Sequence, residues 1–173
     1  MIFISGVHGV GKTYFCNILK NKFGFEAYSS SQLISRGIGK TFSNNKLTKE
    51  IEDNQYYLFK AVEGLKKSIN MFLLDGHFCL LNTDGIITRI SMDTFEKIKP
   101  SLMILLTEKP EVIATRRLQR DGIKIDIEEI DVFQKEEIKY AQEISDYLNI
   151  PLLISNGSDD HNKIFESIRK GLK

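Results

Sequence analysis

Eight residues near the start of the chain form its most specific chemical pattern. Residues 6 to 13 read Gly-Val-His-Gly-Val-Gly-Lys-Thr and match the Walker A phosphate-loop pattern at every fixed position. Glycines are required because the backbone must turn sharply with its amide groups pointing inward, which makes an anion-binding nest at the start of a helix. The pattern therefore predicts a loop that binds the phosphates of a nucleotide.

The polar positions of this loop predict its ligands, ATP and Mg²⁺. Lys12 is expected to contact the β- and γ-phosphates, and Thr13 to place its hydroxyl on the Mg²⁺ ion that bridges them. His8 occupies a variable position, where we expect it to contribute its backbone; a catalytic base is the alternative. The remaining residues that we expect to contact the nucleotide are Gly6, Gly9, Val10, Gly11 and Tyr14.

Arginine usage indicates a second phosphate-binding element. The chain has 18 lysines and six arginines, and three of the arginines are Arg116, Arg117 and Arg120. Arg116 and Arg120 are four residues apart on a predicted helix, an arrangement of like charges that is destabilising unless an anion lies between them. Guanidinium groups suit phosphate oxygens and stabilise charge on a transferred phosphoryl group, so we expect both to be catalytic. Arg117 is four residues from Asp121, so a surface ion pair and a functional role are both open.

An acidic residue ends the third predicted strand, in the run Leu-Leu-Asp75-Gly76-His77. Ligands of open α/β sheets collect at the carboxyl ends of strands. Asp75 is therefore expected to bind Mg²⁺ or to orient an acceptor hydroxyl, with a helix or turn cap as the alternative. Gly76 would allow close approach of a substrate, and His77 is either an acceptor-site contact or a structural histidine.

Two further loops carry polar residues after predicted strands. Ser30 and Arg36 follow the second strand and are expected to bind an anionic acceptor such as a monophosphate. The alternative for Ser30 is capping of a helix. Asn156 follows the last strand, where it is expected to contact the nucleotide base; a plain turn is the competing interpretation.

Short apolar segments alternate with longer amphipathic ones, which is typical of βαβ units around a parallel sheet. The five predicted strands are Ile2 to Ser5, Phe25 to Tyr28, Met71 to Asp75, Leu102 to Thr107 and Leu152 to Ser155. Predicted helices include one that begins at Pro110 and ends at Gly122, and one that ends before Pro151. Residues 29 to 54 and 78 to 94 are predicted as long connections with short helices inside. The expected fold class is a three-layer α/β/α P-loop NTPase with a five-stranded parallel sheet.

Composition and charge exclude several classes of protein. The 173 residues include 24 basic and 23 acidic side chains, a net charge of +1, which disfavours a nucleic-acid polymer as partner. The apolar runs are too short to cross a membrane, and two cysteines fit a reducing cytosol. We therefore expect one cytoplasmic domain over residues 1–173, monomeric or a small homo-oligomer, with a small-molecule substrate.

Together these residues resemble the P-loop nucleoside monophosphate kinases, and most closely the archaeal-type adenylate kinases. The resemblance covers about residues 1 to 156 and rests on several motifs, of which only the phosphate loop is highly specific. The other motifs are Asp75-Gly-His77, Pro100 before the fourth strand, Arg116-Arg117-Leu118, and Asp126-Ile127-Glu128 before a long helix.

The resemblance implies an acceptor-binding region near residues 29 to 65 and a short lid near residues 116 to 127, which makes the fold nucleoside-monophosphate-kinase-like. It also implies that Arg116 and Arg120 are lid arginines that meet the donor nucleotide and the transferred phosphate. Arg36 would be the arginine that binds the acceptor phosphate.

Three functional hypotheses follow. The first is an ATP-dependent phosphotransferase that acts on a nucleotide by positioning and charge neutralisation. The second is a kinase of another small acceptor, such as a nucleoside or a metabolite hydroxyl, with Asp75 as the base. The third is an NTP-binding switch or ATPase that regulates a protein partner, for which the lysine-rich exposed faces would be docking surfaces.

Overall fold

The computed structural model describes residues 1–39 and 51–171. In chain order, the strands are β1 (Ile2–Ser5), β2 (Glu26–Ser29), β3 (Phe72–Asp75), β4 (Cys79–Leu81), β5 (Ile87–Arg89), β6 (Leu102–Thr107) and β7 (Leu152–Asn156). The helices are α1 (Lys12–Phe23), α2 (Ser30–Ile38), α3 (Ile51–Ser68), α4 (Met92–Ile98), α5 (Pro110–Asp121), α6 (Ile127–Leu148) and α7 (His161–Gly171). A 3-10 turn, Ser158–Asp160, precedes α7.

A five-stranded sheet with the order β2-β3-β1-β6-β7 lies at the centre of the fold, and all its neighbouring strands are parallel. Successive side chains of a strand point to opposite faces, so the apolar strands are covered on both sides. Phe3 and Leu74 pack on one face among residues of α3, α4 and α6. Ile4 and Leu73 pack on the other face among residues of α1 and α7. This three-layer arrangement confirms the predicted fold class.

The helices that flank the site begin and end where their sequences indicate. Pro110 occupies the first turn of α5, where its missing N–H is tolerated, and Gly122 ends the helix with a φ of 68°. The side chain of Asp126 accepts a hydrogen bond from the Glu128 backbone N–H and caps the start of α6. The segment between Gly122 and Asp126 therefore joins two firmly bounded helices.

The connection after β3 differs from the prediction. Residues 78 to 94 do not contain only short helices, because β4 and β5 form an antiparallel hairpin before α4 begins. The turn of the hairpin is closed by Asn82, whose side-chain oxygen accepts hydrogen bonds from the backbone of Asp84 and Ile86. Strands of three residues show too little alternation to be recognised from sequence.

The predicted acceptor-binding region, residues 29–65, includes residues 40–50, which lie outside the described residues. Within 1–39 and 51–171, no helix combines the length and the hydropathy needed to span a bilayer.

Candidate functional site

The predicted polar residues meet at one edge of the sheet, where the parallel strands end. Asp75 is in register with Ile4 of β1 and with Ser29 of β2. On the other side of β1, Thr107 is in register with Asn156. This edge brings together the ends of all five strands, as expected for ligand sites of open α/β sheets.

The glycines of the phosphate loop are required by its backbone geometry. Gly6, Gly9 and Gly11 have φ values of 143°, 91° and 114°, a region that residues with side chains rarely adopt. Space is restricted as well, because a Cβ on Gly6 would lie 2.5 Å from the carbonyl oxygen of Leu106. The sequence therefore folds locally into the amide-lined turn that binds phosphate in loops of this kind.

Lys12 lies inside this loop. Its ammonium is nearly buried and donates hydrogen bonds to the carbonyl oxygens of Gly6 at 2.6 Å and Val7 at 3.4 Å. Burial lowers the pKa of Lys12, and the nearby carboxylates of Asp75 and Glu137 oppose that shift. Among residues 1–39 and 51–171, no carboxylate forms an ion pair with this ammonium. A buried cation in that state is costly, so an incoming phosphate would offset its desolvation.

The two predicted Mg²⁺ ligands, Thr13 and Asp75, border the same loop. Thr13 is exposed in the first turn of α1, beside the exposed ring of Tyr14. Asp75 is partly buried at the end of β3, where burial raises its pKa and the charge of Lys12 partly offsets the shift. Hydroxyl and carboxylate oxygens are ligands that Mg²⁺ accepts together with phosphate oxygens.

Arg116 and Arg120 have different partners. Nη1 of Arg116 donates to the carbonyl oxygen of Val10 at 2.9 Å, and Nη2 lies 3.3 Å from Oε2 of Glu108. Arg120 is 63% exposed and forms a bidentate pair with Asp121, with distances of 2.7 and 2.6 Å. Arg116 therefore touches the phosphate loop, whereas Arg120 would have to exchange Asp121 for a phosphate to share an anion with it.

Arg117 covers the phosphate loop with its side chain. A Cβ on Gly9 would lie 2.7 Å from Cγ of Arg117, so the two residues are in close contact. Nε of Arg117 lies 3.8 Å from Oδ2 of Asp121, which is the ion pair expected from the spacing. Arg117 therefore combines the expected ion pair with packing against the phosphate loop.

A carboxylate and an amide that the sequence analysis missed hold Arg116 in place. Glu108 follows β6, and its backbone N–H and C=O both bond to the carboxamide of Gln134, at 3.1 and 3.0 Å. The Glu108 carboxylate then forms an ion pair with Arg116. A Cβ on Gly157 would lie 3.2 Å from Oε1 of Glu108, so the carboxylate also packs against this glycine. The signal in the sequence is weak, because an acid and an amide 26 residues apart show no local pattern.

The two histidines of the candidate site lie against each other. The rings of His8 and His77 have centroids 4.4 Å apart. Burial lowers the pKa of His77 well below its ordinary value, and Lys12 adds to the effect. His8 is exposed as a residue, but its ring packs on His77. The resulting desolvation and the neighbouring positive charges lower the pKa of His8 to about 3, so both rings are neutral near pH 7.

A third missed residue is Glu137 of α6, which is completely buried. Burial raises the pKa of its carboxyl, while hydrogen bonds from Cys79 and Ser5 and the charge of Lys12 oppose the shift. The sequence did contain a signal for this residue. Glu137 lies at helical spacing from Ile130, Gln134, Ala141 and Ile144, so it is a charge within the buried stripe of the helix.

On the acceptor side, the structure brings Ser30 and Gly76 together. A Cβ on Gly76 would lie 2.9 Å from Oγ of Ser30 and 2.7 Å from the ring of Phe3. The Ser30 hydroxyl is buried and has no hydrogen-bond partner within residues 1–39 and 51–171. The N-cap of α2 is Ser29 and not Ser30, and its side chain makes no capping bond. Arg36 is exposed in the last turn of α2.

Asn156 ends β7 in a turn. Its side-chain oxygen lies 3.2 Å from the Thr107 hydroxyl, and its backbone N–H donates to Asp160. Gly157 has a φ of 81° and its N–H donates to the carbonyl of Thr107. Asn156 therefore lies in a tight turn next to Glu108, at the same edge of the sheet as Arg116.

Comparisons with known proteins identify a family and a curated relative of this chain. A protein-family model, AAA_17, described as an AAA domain, matches residues 5–134. A curated protein of Thermococcus gammatolerans (strain DSM 15229 / JCM 11827 / EJ3), named "Putative adenylate kinase", is 25% identical over 181 residues that cover 100% of this chain and 88% of that protein. The match to this relative extends over the phosphate loop, Asp75 and the arginines of α5, since it covers the whole chain.

Three solved structures with the same fold are named as shikimate kinases and a gluconokinase. A shikimate kinase from Acinetobacter baumannii in complex with shikimate has a TM-score of 0.64 at 17% identity, covering 98% of this chain and 93% of that one. A shikimate kinase from Bacteroides thetaiotaomicron has a TM-score of 0.58 at 14% identity, covering 99% and 96%. A gluconokinase from Sinorhizobium meliloti 1021 has a TM-score of 0.53 at 12% identity, covering 94% and 85%. These likenesses show that the fold is that of P-loop kinases.

Proposed function

The chain belongs to the AAA_17 family of AAA domains, and from that premise we propose that it is an ATP-dependent kinase that transfers the γ-phosphate to a small acceptor, a nucleotide. The observation that carries the proposal is the position of Lys12. Its buried ammonium lies inside a loop with the backbone geometry of a phosphate-binding loop. This loop follows β1, at the edge of the sheet where the neighbouring strand β3 ends with Asp75. In phosphoryl transfer this arrangement supplies positioning and charge neutralisation.

Each residue has a distinct part in this proposal. The loop amides and Lys12 bind the β- and γ-phosphates, and Lys12 exchanges the carbonyls of Gly6 and Val7 for phosphate oxygens. Arg116 already touches the loop and needs only a small movement to meet a phosphate. Thr13 and Asp75 would hold Mg²⁺, which when bound neutralises charge on the phosphates.

A nucleotide acceptor is supported by the acceptor-side residues. The buried hydroxyl of Ser30, which has no hydrogen-bond partner in the part of the chain that the structure describes, lies beside Gly76. Ser30 belongs to the region that the family resemblance assigns to the acceptor. Arg36 lies in the last turn of the same helix, α2, and carries a permanent positive charge suited to a monophosphate. The relative from Thermococcus gammatolerans is named an adenylate kinase, which supports the same substrate class.

A hydroxyl acceptor is the second candidate, and a specific observation favours it. The three solved structures are named as shikimate kinases and a gluconokinase, and these names indicate small-molecule acceptors other than nucleotides. A hydroxyl acceptor benefits from a base, and the raised pKa of Asp75 at the strand edge suits it to that task. A monophosphate acceptor needs no such base, because its oxygens are already ionised.

An acceptor screen separates these candidates. Purified protein is incubated with ATP and Mg²⁺ and with nucleoside monophosphates, nucleosides, shikimate, gluconate or no acceptor, and ADP is measured. We expect turnover to be stimulated by a nucleoside monophosphate and to be absent from the Lys12→Met variant. Stimulation by a hydroxyl acceptor alone would favour the second candidate. ADP formation that no acceptor stimulates would contradict the kinase proposal and favour an ATPase.

A further inference from the structure

Glu137 is a buried carboxylate to which the proposed mechanism gives no task. It lies near the middle of α6 with none of its surface exposed. A carboxylate is costly to remove from water, and an apolar side chain would fill the same position at lower cost. No lysine or arginine in residues 1–39 and 51–171 forms a salt bridge with it, so neutral donors must offset most of the desolvation.

The three hydrogen bonds of Glu137 connect two segments of the candidate site. Oε2 accepts the hydroxyl proton of Ser5 at 2.7 Å, and Ser5 directly precedes Gly6 of the phosphate loop. Oε1 accepts the backbone N–H groups of Phe78 at 3.0 Å and Cys79 at 2.9 Å. These two residues directly follow the Asp75–His77 segment. One side chain of α6 therefore touches the start of the loop and the end of the acceptor-side segment.

His77 is enclosed by the same arrangement. Its Nδ1 is buried and lies 3.8 Å from Oε1 of Glu137, while its ring packs on His8 of the phosphate loop. Glu137 and His8 thus contact the His77 ring from two different elements. The position of His77 relative to the loop depends on both contacts, because packed side chains have few alternative positions.

From this geometry we propose that Glu137 is a positioning residue, which holds the Asp75–His77 segment in one fixed position relative to the phosphate loop. The proposal rests on the proposed function, because the geometry being maintained is that of phosphoryl transfer, where small misplacements reduce the rate strongly. A carboxylate suits the task because one oxygen accepts two adjacent amide groups while the other accepts a hydroxyl. An apolar residue would leave two buried N–H groups without a partner.

The Glu137→Gln variant tests the kinetic consequence. Its Oε1 can still accept the amides of Phe78 and Cys79, and its Nε2 can donate to Ser5, so the fold should be retained. The weaker neutral bonds should loosen the segment. We expect kcat to fall at least about tenfold while KM for ATP stays within about threefold, because ATP is bound mainly by the loop itself.

The matched control is Glu136→Gln, the same chemical change one residue away. Glu136 pairs with Arg89 on the exposed side of α6, at 2.6 Å. Removing this surface pair should leave kcat unchanged and alter the melting temperature only slightly. If Glu137→Gln lowers activity only in proportion to a loss of folded protein, measured by thermal unfolding, the positioning role is overturned.

Backbone amide NMR spectra test the coupling without any substrate. In Glu137→Gln, we expect the amide signals of Phe78 and Cys79 to shift together with those of residues 5 to 13. Glu136→Gln should leave residues 5 to 13 unshifted, although its partner Arg89 is paired with Cys79 across the hairpin. Ser5→Ala provides a second variant: it removes only the bond on the loop side, so signals of Phe78 and Cys79 should shift through Glu137. Unchanged Phe78 and Cys79 signals in Ser5→Ala would overturn the proposal.

The two proposals fail in distinguishable ways. Wild-type protein that shows no acceptor-stimulated turnover contradicts the proposed function, and the amide shifts of Glu137→Gln and Ser5→Ala still decide the coupling. If the wild type shows acceptor-stimulated turnover and Glu137→Gln has the same kcat, only the positioning role is contradicted.

Discussion

The imidazole rings of His8 and His77 pack against each other with centroids 4.4 Å apart and an interplanar angle of 44°. One ring belongs to the phosphate loop and the other to the segment after β3, so these two parts of the candidate site are in direct contact. Desolvation is the main cause that lowers the pKa of His8 to about 3, and the positive charge of Lys12 adds to it. The contact therefore joins two neutral rings at physiological pH.

This lowered pKa predicts how stability depends on pH. His8 in the unfolded chain takes up a proton near pH 6.5, whereas in the folded protein it does so near pH 3. Between these values the unfolded state binds more protons, so the free energy of unfolding falls as the pH is lowered. In His8→Gln this contribution is absent. We expect the stability of the wild type relative to His8→Gln to decrease from about pH 7 to about pH 4.

Urea unfolding at several pH values measures this difference. Asp75 and Glu137 have raised pKa values and shift stability in the opposite direction, but both proteins contain them. Their contributions therefore cancel to a first approximation in the comparison of wild type with variant. Parallel stability curves for the two proteins would contradict the lowered pKa of His8.

Lys12→Met should abolish nucleotide-dependent activity. Methionine keeps the buried aliphatic chain and removes the charge that contacts the phosphates, so we expect turnover to fall by about a hundredfold or more. In thermal unfolding, ATP and Mg²⁺ at 100 times Kd should stabilise the wild type by about 2.7 kcal/mol and the variant much less. Lys20→Met is the control, since Lys20 lies on the same helix in an exposed pair with Glu26. Turnover near the wild-type rate in Lys12→Met would refute the phosphate-loop assignment.

Gly76→Ala should destabilise the protein because the position has no room for a methyl group. The new Cβ would lie 2.7 Å from the Phe3 ring and 2.9 Å from the Ser30 hydroxyl. Overpacking of this kind costs about 1–3 kcal/mol, measurable as a lower urea midpoint. Gly64→Ala in α3 meets nothing within 4 Å and should instead raise stability, by about 0.5–1 kcal/mol. Equal midpoints for the two variants would contradict the close contact at Gly76.

Arg120→Ala should lower turnover much more than Arg117→Ala. We expect the Arg120 guanidinium to leave Asp121 and meet the transferred phosphate, so its loss should reduce kcat at least about tenfold. Arg117 packs on Gly9 and pairs with Asp121, so its truncation should act mainly on stability. Steady-state kinetics of both variants, with Arg169→Ala in α7 as the control, test this order. Equal and negligible effects of the two variants on kcat would contradict the prediction that Arg120 shares a phosphate with Arg116.

Local features of the sequence determined most of the fold. All five strands of the central sheet lie within one or two residues of their predicted bounds, and α5 begins at Pro110 and ends before Gly122 as predicted. These features depend on side-chain periodicity and on backbone preferences of single residues, which act over a few positions. The hairpin of β4 and β5 is the exception, because its strands are too short to show a period.

The chemistry of the phosphate loop was likewise evident from the sequence, because its glycines and its lysine act within eight consecutive residues. What only the tertiary structure decided is which distant side chains meet there. Arg116 pairs with Glu108 and donates a hydrogen bond to the loop carbonyl of Val10. Glu137 accepts hydrogen bonds from Ser5 and from the residues after His77. Such contacts join different layers of the fold, and their partners are set by packing between layers, for which spacing along the chain carries no information.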